Sequence, residues 1–202
     1  MKQKMGAHEI MEAHEVLTDT IDGINQFQLY RPHVKDPQLG QILDRQLQYM
    51  IQEYDQMVTM INQQGGPITV RQPRQLQPGS WQPTETAAQT QPTYGLDNPQ
   101  TQSPNTSMEQ MDDRDVASGM LGCAKASAVM RMHASLECVD PTLRQVMVQG
   151  AVSCSQQAYE TFQYMNQKGY YQVPTMEERT MNTVLNTYQP AGATSQNTSL
   201  LM

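Results

Sequence analysis

The chain has 202 residues and a formal net charge of −7, and its Lys and Arg residues form no cluster. Because phosphate binding requires clustered positive charge, these features exclude nucleic acid or an anionic membrane surface as the expected main partner. Sixteen Met residues against two Phe and one Trp predict helices packed by flexible side chains around a modest core.

Two features of the sequence bear on location. The chain begins MKQKMGAHEI, which lacks the apolar segment of a secretory signal. No apolar run approaches the roughly 20 residues of a membrane-spanning helix. We therefore expect a protein without a membrane span that is made and kept inside a cell.

The first predicted helix runs from Ala7 to Tyr30, and Pro32 and Pro37 end it. Its apolar residues recur at helical spacing, which predicts one buried face. That face comprises Ile10, Ala13, Leu17, Ile21, Ile24 and Phe27.

The second predicted helix, from Pro37 to Gln64, has a stronger apolar pattern. Its connection to the first helix is only about six residues long, so the two form an antiparallel hairpin over residues 1–64. Two neighbouring apolar rows define the buried side: Leu43, Met50 and Met57, and beside them Leu47, Tyr54 and Ile61.

Residues 65–111 are rich in Pro, Gln, Thr, Ser and Gly and have no periodic apolar face. Such a proline density excludes a helix, and we expect a disordered or extended linker that crosses the length of the bundle. An alternative is that Trp81 anchors this segment on the bundle or on a partner.

A second predicted hairpin begins at residue 112. Its first helix, from Asp112 to Glu137, is rich in small residues and has an apolar side. Gly119, Gly122 and, in the next helix, Gly150 each cost roughly 1 kcal/mol relative to Ala. We expect close approach of neighbouring helices to offset this cost, although a subunit contact would do so equally. The apolar side comprises Ala117, Leu121, Ala124, Ala128 and Leu136.

Beyond the second helix of this hairpin, Thr175 and Glu178 have the spacing of a capping box. This predicts a short helix to about Thr187 that lies against the bundle through Met176, Thr180, Val184 and Leu185. The second hairpin with this helix occupies residues 112–188, and residues 189–202 form a polar tail that we expect to be mobile.

The segment from Asp140 to Gly169 repeats the segment from Asp36 to Gly65 with a shift of 104 residues and no gap. Both segments open with Asp-Pro and end on Gly, which are helix start and stop signals. The agreement predicts duplication of a helical hairpin. Two hairpins joined by a long crossover predict an all-α, ferritin-like four-helix bundle with a short C-terminal helix.

The two copies also differ in side-chain size at matched positions. We expect large side chains of the first hairpin to fill space left by small ones of the second. The matched positions are Leu47, Met50 and Tyr54 in the first copy and Ala151, Cys154 and Ala158 in the second.

Three Cys residues, at positions 123, 138 and 154, show no CxxC spacing and are odd in number. Neither a zinc site nor a disulfide framework is indicated. Cys123 and Cys154 fit small core positions, whereas Cys138 lies at a predicted helix end and is the expected exposed thiol. The sequence leaves intermolecular disulfides open.

A ferritin-like bundle raises the question of a di-iron site, which needs Glu on two helices and Glu-x-x-His on the other two. The second and fourth helices have Gln where this motif needs His, so a full site is absent. His8, Glu12 and Glu15 share one helix face, and with His14 they are the remaining metal-ligand candidates. A solvated acidic first turn is the favoured interpretation.

Other chemistry has even less support, since no Gly-rich phosphate loop, nucleophile elbow or HExxH motif occurs. We therefore predict no metal, no cofactor, no catalytic residue and no enzyme activity.

Several stretches outside the linker and tail resemble one family, the coat F family of spore coat proteins from endospore-forming bacteria. They are Gly6-Ala7-His8-Glu9, His14-Glu15-Val16-Leu17, Val34-Lys35-Asp36-Pro37, Asp115-Val116-Ala117, Pro141-Thr142-Leu143-Arg144, and Tyr164-Met165-Asn166-Gln167-Lys168-Gly169-Tyr170-Tyr171.

This resemblance implies a ferritin-like bundle that is a structural component of the spore coat. Such a protein is made in the mother cell, is deposited on the forespore and has other spore coat proteins as partners. Family members often have His in the fourth helix where this chain has Ala158. That departure weakens the metal interpretation further.

Three functions compete at this point. The first is a structural coat protein, for which binding to further copies of itself is one option. The second is a ferritin-like metal-binding or redox-protective protein of the spore. The third is an adaptor that docks a partner through Trp81. For the first, abundant Gln and scattered Lys suit isopeptide cross-linking, although a plain solvated surface is the favoured reading. The Lys residues concerned are Lys2, Lys4, Lys35, Lys125 and Lys168.

Overall fold

The computed structural model describes residues 5–63, 91–99 and 101–191. Within these ranges the chain is helical, apart from an isolated bridge between Tyr94 and Val173, so the all-α prediction is confirmed. Of the helices described, none has both the length and the apolar character for a membrane span. The α-helices are α1 (Ala7–Tyr30), α2 (Pro37–Gln63), α3 (Asp113–Glu137), α4 (Pro141–Gln167) and α5 (Glu178–Leu185), and short 3-10 turns occupy Arg31–His33 and Met108–Gln110.

The long helices begin where the sequence supplies a side-chain acceptor. Asp112, Asp140 and Asp36 each accept hydrogen bonds from backbone N–H groups in the first turn of the helix that follows, at 2.8 to 3.1 Å. These contacts satisfy N–H groups that have no partner inside the helix. Gly169, just after α4, has the predicted positive φ of 73°. Its counterpart Gly65 lies outside the described residues.

The helices pack with neighbours running in opposite directions. α3 and α4 make the most extensive contact, α1 packs against both α2 and α3, and α2 also packs against α4. Glu9 contacts the backbone at residue 139, so the start of α1 lies at the end of α3. Asp113 contacts the backbone at residue 35, so the start of α3 lies at the end of α1. α2 and α3 therefore run in the same direction.

The core consists of two apolar clusters. The larger surrounds Phe27, Leu43, Met120 and Tyr164. The smaller contains Val16, Met57, Leu143 and Met147 together with Cys138. The row predicted for α2 is confirmed as buried: Leu43, Met50 and Met57.

The buried face of α1 differs from the prediction. Ile10 and Ile21, which were expected inside, are exposed. α1 lies between α2 and α3, and this position turns a face with two polar residues inward, where Glu9 and Thr20 find hydrogen-bond partners. The spacing of apolar residues in the sequence does not predict that polar residues such as Glu9 and Thr20 are buried. The face that is buried comprises Glu9, Ala13, Val16, Thr20, Gly23 and Phe27.

The prediction for Leu136 is also wrong, since this residue is exposed near the end of α3. The buried face of α3 there includes Arg131, Ala134 and Ser135 instead. A buried Arg is outside what an apolar pattern can predict.

The C-terminal helix departs from the prediction in two ways. Thr175 does not cap it, because α5 begins at Glu178 with Glu177 at the N-cap and no side-chain cap bond. None of its residues is buried, so the expected contact of α5 with the other helices is wrong. An eight-residue segment contributes too little apolar surface for pattern alone to decide where it packs.

The linker residues 91–99 contain no helix, and hydrogen bonds attach them to the end of α4 and to the segment after it. Asn166 accepts from the backbone N–H of Thr93 (2.7 Å) and donates to its carbonyl (3.0 Å). Gln172 makes the same pair of bonds with the backbone of Asp97. Residues 91–99 thus lie against the end of α4 and the segment that follows it. Trp81, the proposed anchor, lies outside the described residues.

Two of the three interior glycines allow close approach, as the composition predicts. A Cβ at position 119 would overlap the Tyr30 ring of α1, and one at position 150 would lie 2.5 Å from Arg131 Nη1. Among the described residues, a Cβ at position 122 would meet nothing within 4 Å. Packing of the described residues therefore accounts for glycine at positions 119 and 150 but not at position 122.

We expect Gly119→Ala and Gly122→Ala to have opposite effects on the free energy of unfolding. Gly122→Ala should stabilise by up to about 1 kcal/mol, because Ala is the better helix former and the site is open. Gly119→Ala should destabilise by about 1–3 kcal/mol, because the Tyr30 ring must move. Urea unfolding followed by circular dichroism measures both. Equal stabilisation by the two substitutions would contradict the Tyr30 contact.

Candidate functional site

The four metal-ligand candidates of α1 do not gather around one point. His8 Nδ1 lies 3.6 Å from Glu137 Oε2, and Glu12 Oε2 lies 3.5 Å from His133 Nδ1, so each faces the end of α3. His14 and Glu15 are exposed. In the described part of the chain, His, Cys, Asp and Glu side chains form no group of three or more that could hold a metal ion.

A buried charge pair lies between α2 and α3. The Arg131 side chain is 3% exposed, and its Nη2 atom lies 3.5 Å from Oε2 of Glu53, whose side chain is 10% exposed. Arg131 also donates to Thr20 Oγ1 of α1 at 3.0 Å. Burial raises the pKa of Glu53, and the Arg131 guanidinium opposes that shift. Arg131 thereby links three helices across the interior.

A second polar cluster joins α2 to α4. Arg45 forms an ion pair with Glu160, which is fully buried. The Gln46 amide donates to the Gln157 carbonyl (3.2 Å) and to Thr161 Oγ1 (3.2 Å). Buried polar groups of this kind stabilise one arrangement of two helices, because each leaves water for a specific partner.

Tyr49 and Ser153 complete this interface, with 2.7 Å between their hydroxyl oxygens. Tyr49 belongs to α2 and Ser153 to α4. The facing sides of these helices are therefore joined by hydrogen bonds and an ion pair more than by large apolar side chains.

Two carboxylates make equivalent contacts at opposite ends of the structure. Glu9 Oε1, at the start of α1, accepts hydrogen bonds from the backbone N–H groups of residues 139–140, just before α4, at 2.7 Å for the first. Asp113 Oδ1, at the start of α3, accepts from residues 35–36, just before α2, at 2.8 and 3.2 Å. Each hairpin thus supplies the acceptor for the turn of the other.

The environment of Glu9 favours its charged form. Its hydrogen bond from the Asp140 N–H has the largest effect and lowers the pKa of Glu9, burial opposes this, and the N–H groups of Gly6 and Val139 lower the pKa further. The Gly6 N–H lies 2.6 Å from Glu9 Oε2. The carboxylate therefore serves two helix starts at once, that of α1 and that of α4.

Another charged cluster lies where α2 begins and α4 ends. Lys168 Nζ lies 2.6 Å from Asp36 Oδ2, and the Tyr164 hydroxyl donates to the same oxygen at 3.1 Å. The bond from Lys168 has the largest effect in lowering the pKa of Asp36. Lys168 Nζ also lies 5.6 Å from the centre of the Tyr164 ring, within the roughly 6 Å at which a cation and a ring attract.

The exposure of the cysteine side chains differs from the prediction at Cys138. Cys138 is 8% exposed and packs in the smaller core cluster, so its prediction as an exposed thiol is wrong. Burial raises the pKa of Cys138 to about 11 and that of Cys154 to about 12, which keeps both thiols protonated at neutral pH. Cys123 is the partly exposed one, and burial raises its pKa too.

Comparison with known proteins assigns this chain to a family. Residues 112–174, which contain α3 and α4, match the Coat F domain. Over 186 residues the chain is 33% identical to the spore coat protein F-like protein YhcQ of Bacillus subtilis (strain 168), across 92% of this chain and 81% of that protein. The chain belongs to the coat F family of spore coat proteins. No solved structure matches it.

Membership confirms the resemblance found in the sequence, and the shared region extends well beyond the Coat F domain. In this coat F family member the domain corresponds to one helical hairpin, and the similarity to the Bacillus subtilis protein covers the first hairpin as well.

The interior charge pairs are the features that sequence reasoning missed. Arg131 follows Ala124 and Ser127 and precedes Ala134 at helical spacing, so its position on the buried face was detectable once small residues were counted as buried. Glu160 follows Gln157 on the face of α4 that also buries Ala158. The sequence contains no comparable signal for which residue pairs with Arg131 or with Glu160.

We expect Glu9→Gln to lower the free energy of unfolding by about 1–3 kcal/mol at pH 7, because a charged acceptor of three backbone N–H groups is lost. The pKa of Glu9 is lowered on folding, so this stabilisation is present above the ordinary value of 4.5 and is lost as pH falls through the lower folded-state value. The stability difference between wild type and variant should therefore shrink on acidification. Glu15→Gln, exposed on the same helix, is the control and should change stability little. A pH-independent Glu9→Gln effect would contradict this role.

We expect Arg131→Met alone to destabilise by about 3–5 kcal/mol, because Glu53 is left buried without its counter-charge. Adding Glu53→Leu should restore most of the loss, since a buried ion pair replaced by apolar side chains is often neutral. A double-mutant cycle in urea measures the coupling, with exposed Arg144→Met as the control. Additive losses from the two substitutions would show that the pair is not coupled.

Proposed function

We propose that this chain is a structural component of the bacterial spore coat. The observation that carries the proposal is the similarity to a spore coat protein F-like protein over nearly the whole chain. Its internal charges support the same role, because Arg131 and Arg45 are each paired with a carboxylate of another helix. Such pairs serve to hold helices together.

The outer surface offers the means of assembly. Exposed large apolar side chains lie on every α-helix except α2 within the described residues, and such side chains in groups are typical of protein contacts. We propose that these helix faces contact other coat proteins or further copies of this chain. The exposed apolar residues on the long helices include Ile10, Met11, Ile21 and Leu29 on α1, Val129, Met132 and Leu136 on α3, and Val152 and Tyr159 on α4.

For the architecture we propose a ferritin-like four-helix bundle built from a duplicated hairpin. The contacts support this with the same offset as the sequence repeat. Glu9 and Asp113 are 104 residues apart, and so are the backbone pairs 35–36 and 139–140 that they bind. Tyr49 and Ser153, which are also 104 residues apart, contact each other. Contacts repeated between the two hairpins at one offset are expected when a two-fold axis relates the hairpins.

A further pair of contacts has the same relation. Asp19 of α1 accepts from Ser127 of α3 at 2.6 Å. The residues that correspond to them after the shift are Cys123 and Gly23, and a Cβ on Gly23 would lie 3.1 Å from the Cys123 sulfur. Under this proposal residues 1–64 and 112–188 are the two hairpins of one bundle, residues 65–111 are the crossover and residues 189–202 are the tail.

Isopeptide cross-linking between Gln and Lys would add to coat assembly. Of the Lys residues singled out, Lys168 is engaged with Asp36 and Lys125 lies over the Tyr171 ring. Lys35 is exposed, and its described contact is through the backbone N–H. We propose Lys35 as the preferred donor. Lys2 and Lys4 lie outside the described residues.

Fractionation of sporulating cells that express a tagged copy tests the coat role. We expect the chain in coat extracts made after the mother cell lyses, and we expect mass spectrometry of those extracts to find any cross-linked Lys35 in excess over Lys168. A tagged cytoplasmic protein is the control for carry-over. Recovery of the chain in the spore core or in the soluble mother-cell fraction would contradict the proposal.

The metal-binding alternative gives a different result in a separate measurement. Metal analysis of protein expressed with iron and manganese would then find stoichiometric metal that is lost in His8→Ala and Glu12→Ala variants. Under the structural proposal the bound metal should be the same in these variants as in wild type.

A further inference from the structure

One side of α3 is exposed along the whole helix. The residues on it alternate in spacing between four and three, which places them in a single line on the helix surface. Val129 is 72% exposed and Leu136 is 70% exposed, so the second half of the line is an open apolar surface. We call this line the α3 stripe; it consists of Ser118, Gly122, Lys125, Val129, Met132, Leu136 and, just after the helix, Val139.

Gly122 indicates that the α3 stripe receives a neighbour. Glycine weakens the interior of a helix, and at positions 119 and 150 contacts within the chain account for it. At Gly122 an added Cβ would meet no atom within 4 Å in the part of the chain that the structure describes. A helix from outside the chain that approaches the stripe closely would make use of this missing side chain.

Aromatic side chains widen the α3 stripe towards α4. Lys125 Nζ lies 5.5 Å from the centre of the Tyr171 ring. Phe162 packs edge-on against Tyr171 at 5.2 Å and stacks with Tyr159 at 5.9 Å. Tyr159 and Tyr171 are both exposed. The stripe is thus one edge of a broader apolar surface on the outside of the second hairpin.

α5 has the complementary property. Its apolar side chains have the i, i+3, i+4 spacing of one helix face and are all exposed. An isolated helix of eight residues is marginal in water, so this face needs an apolar surface to pack on. The α5 face comprises Met181, Val184, Leu185 and, three residues after the helix, the exposed Tyr188.

We propose that α5 of one copy docks on the α3 stripe of a second copy. In length the α5 face fits within the stripe, since Val129 to Leu136 spans about 10 Å along α3 and Met181 to Leu185 about 6 Å along α5. In charge they are complementary, because Lys125 is the charged residue of the stripe and Glu177 and Glu178 open α5. This inference rests on the proposed coat role and names the surfaces through which that role is carried out.

Within its own chain α5 does not use the α3 stripe. Hydrogen bonds hold the residues just before α5 to the 91–99 segment, through Gln172 to Asp97 and through Val173 to Gly95. The α5 face is left exposed beyond that attachment. Because the α5 face and the α3 stripe are different surfaces, each copy keeps one free surface after binding one neighbour, and further copies add head to tail until the rotation between neighbours closes a ring.

Complementation between two variants of the full chain tests this contact. One variant carries Val184→Asp and Leu185→Asp on α5, and the other carries Val129→Asp and Leu136→Asp on α3. Sedimentation velocity over a concentration series measures association, and circular dichroism checks folding. We expect wild type to form a series of oligomers and each variant alone to associate roughly tenfold or more weakly. An equimolar mixture should form heterodimers and stop there, since each variant retains the surface that the other has lost.

The control carries the same number of new charges, Gln48→Asp and Thr59→Asp, on the exposed side of α2, where the described residues include no exposed large apolar side chain, and it should associate like wild type. Three results would overturn the proposal: monomeric wild type at every concentration, undiminished association of the α5 variant, or a mixture that stays monomeric. Monomeric protein that is still recovered in coat extracts would overturn this contact alone. Protein that associates as expected but is absent from coat extracts would instead overturn the coat role.

Discussion

The structure depends on one constraint: polar groups buried between the two hairpins must find their partners on the opposite hairpin. Glu9 accepts from the turn before α4, and Asp113 accepts from the turn before α2. Arg45 and Arg131 each pair with a carboxylate on another helix. A buried carboxylate or N–H without a partner is costly, so these pairings select one way of closing the hairpins on each other.

This constraint accounts for a core that is small and poor in aromatic residues. Apolar burial is divided between two clusters, and hydrogen bonds and ion pairs hold the helices between them. Gly119 and Gly150 bring Tyr30 and Arg131 close to a helix backbone, where a larger residue would exclude them. The interior therefore specifies helix position through a few exact contacts, while the outside is left with apolar side chains available for neighbours.

In this coat F family member the interior contacts and the exposed apolar side chains serve different purposes under the proposed role. Buried charges whose partners lie in the same chain keep the helices in place, and the Cys thiols are held protonated by burial. The exposed line on α3 and the exposed face of α5 make no comparable contacts within the described part of the chain. Under the proposed coat role, folding and association rely on separate sets of residues, so surface substitutions alter assembly without unfolding the protein.

Sequence alone determined the elements, because helix signals are local: Asp-Pro starts, a Gly after α4, and the apolar row Leu43, Met50 and Met57. It also determined the family, since the residues that carry the resemblance are contiguous. Only the tertiary structure decided which face of α1 is buried, that Leu136 and α5 are exposed, and that Cys138 is not. Each of these depends on residues distant in the chain, and burial of polar groups such as Glu9 and Arg131 follows from partners that a local pattern does not contain.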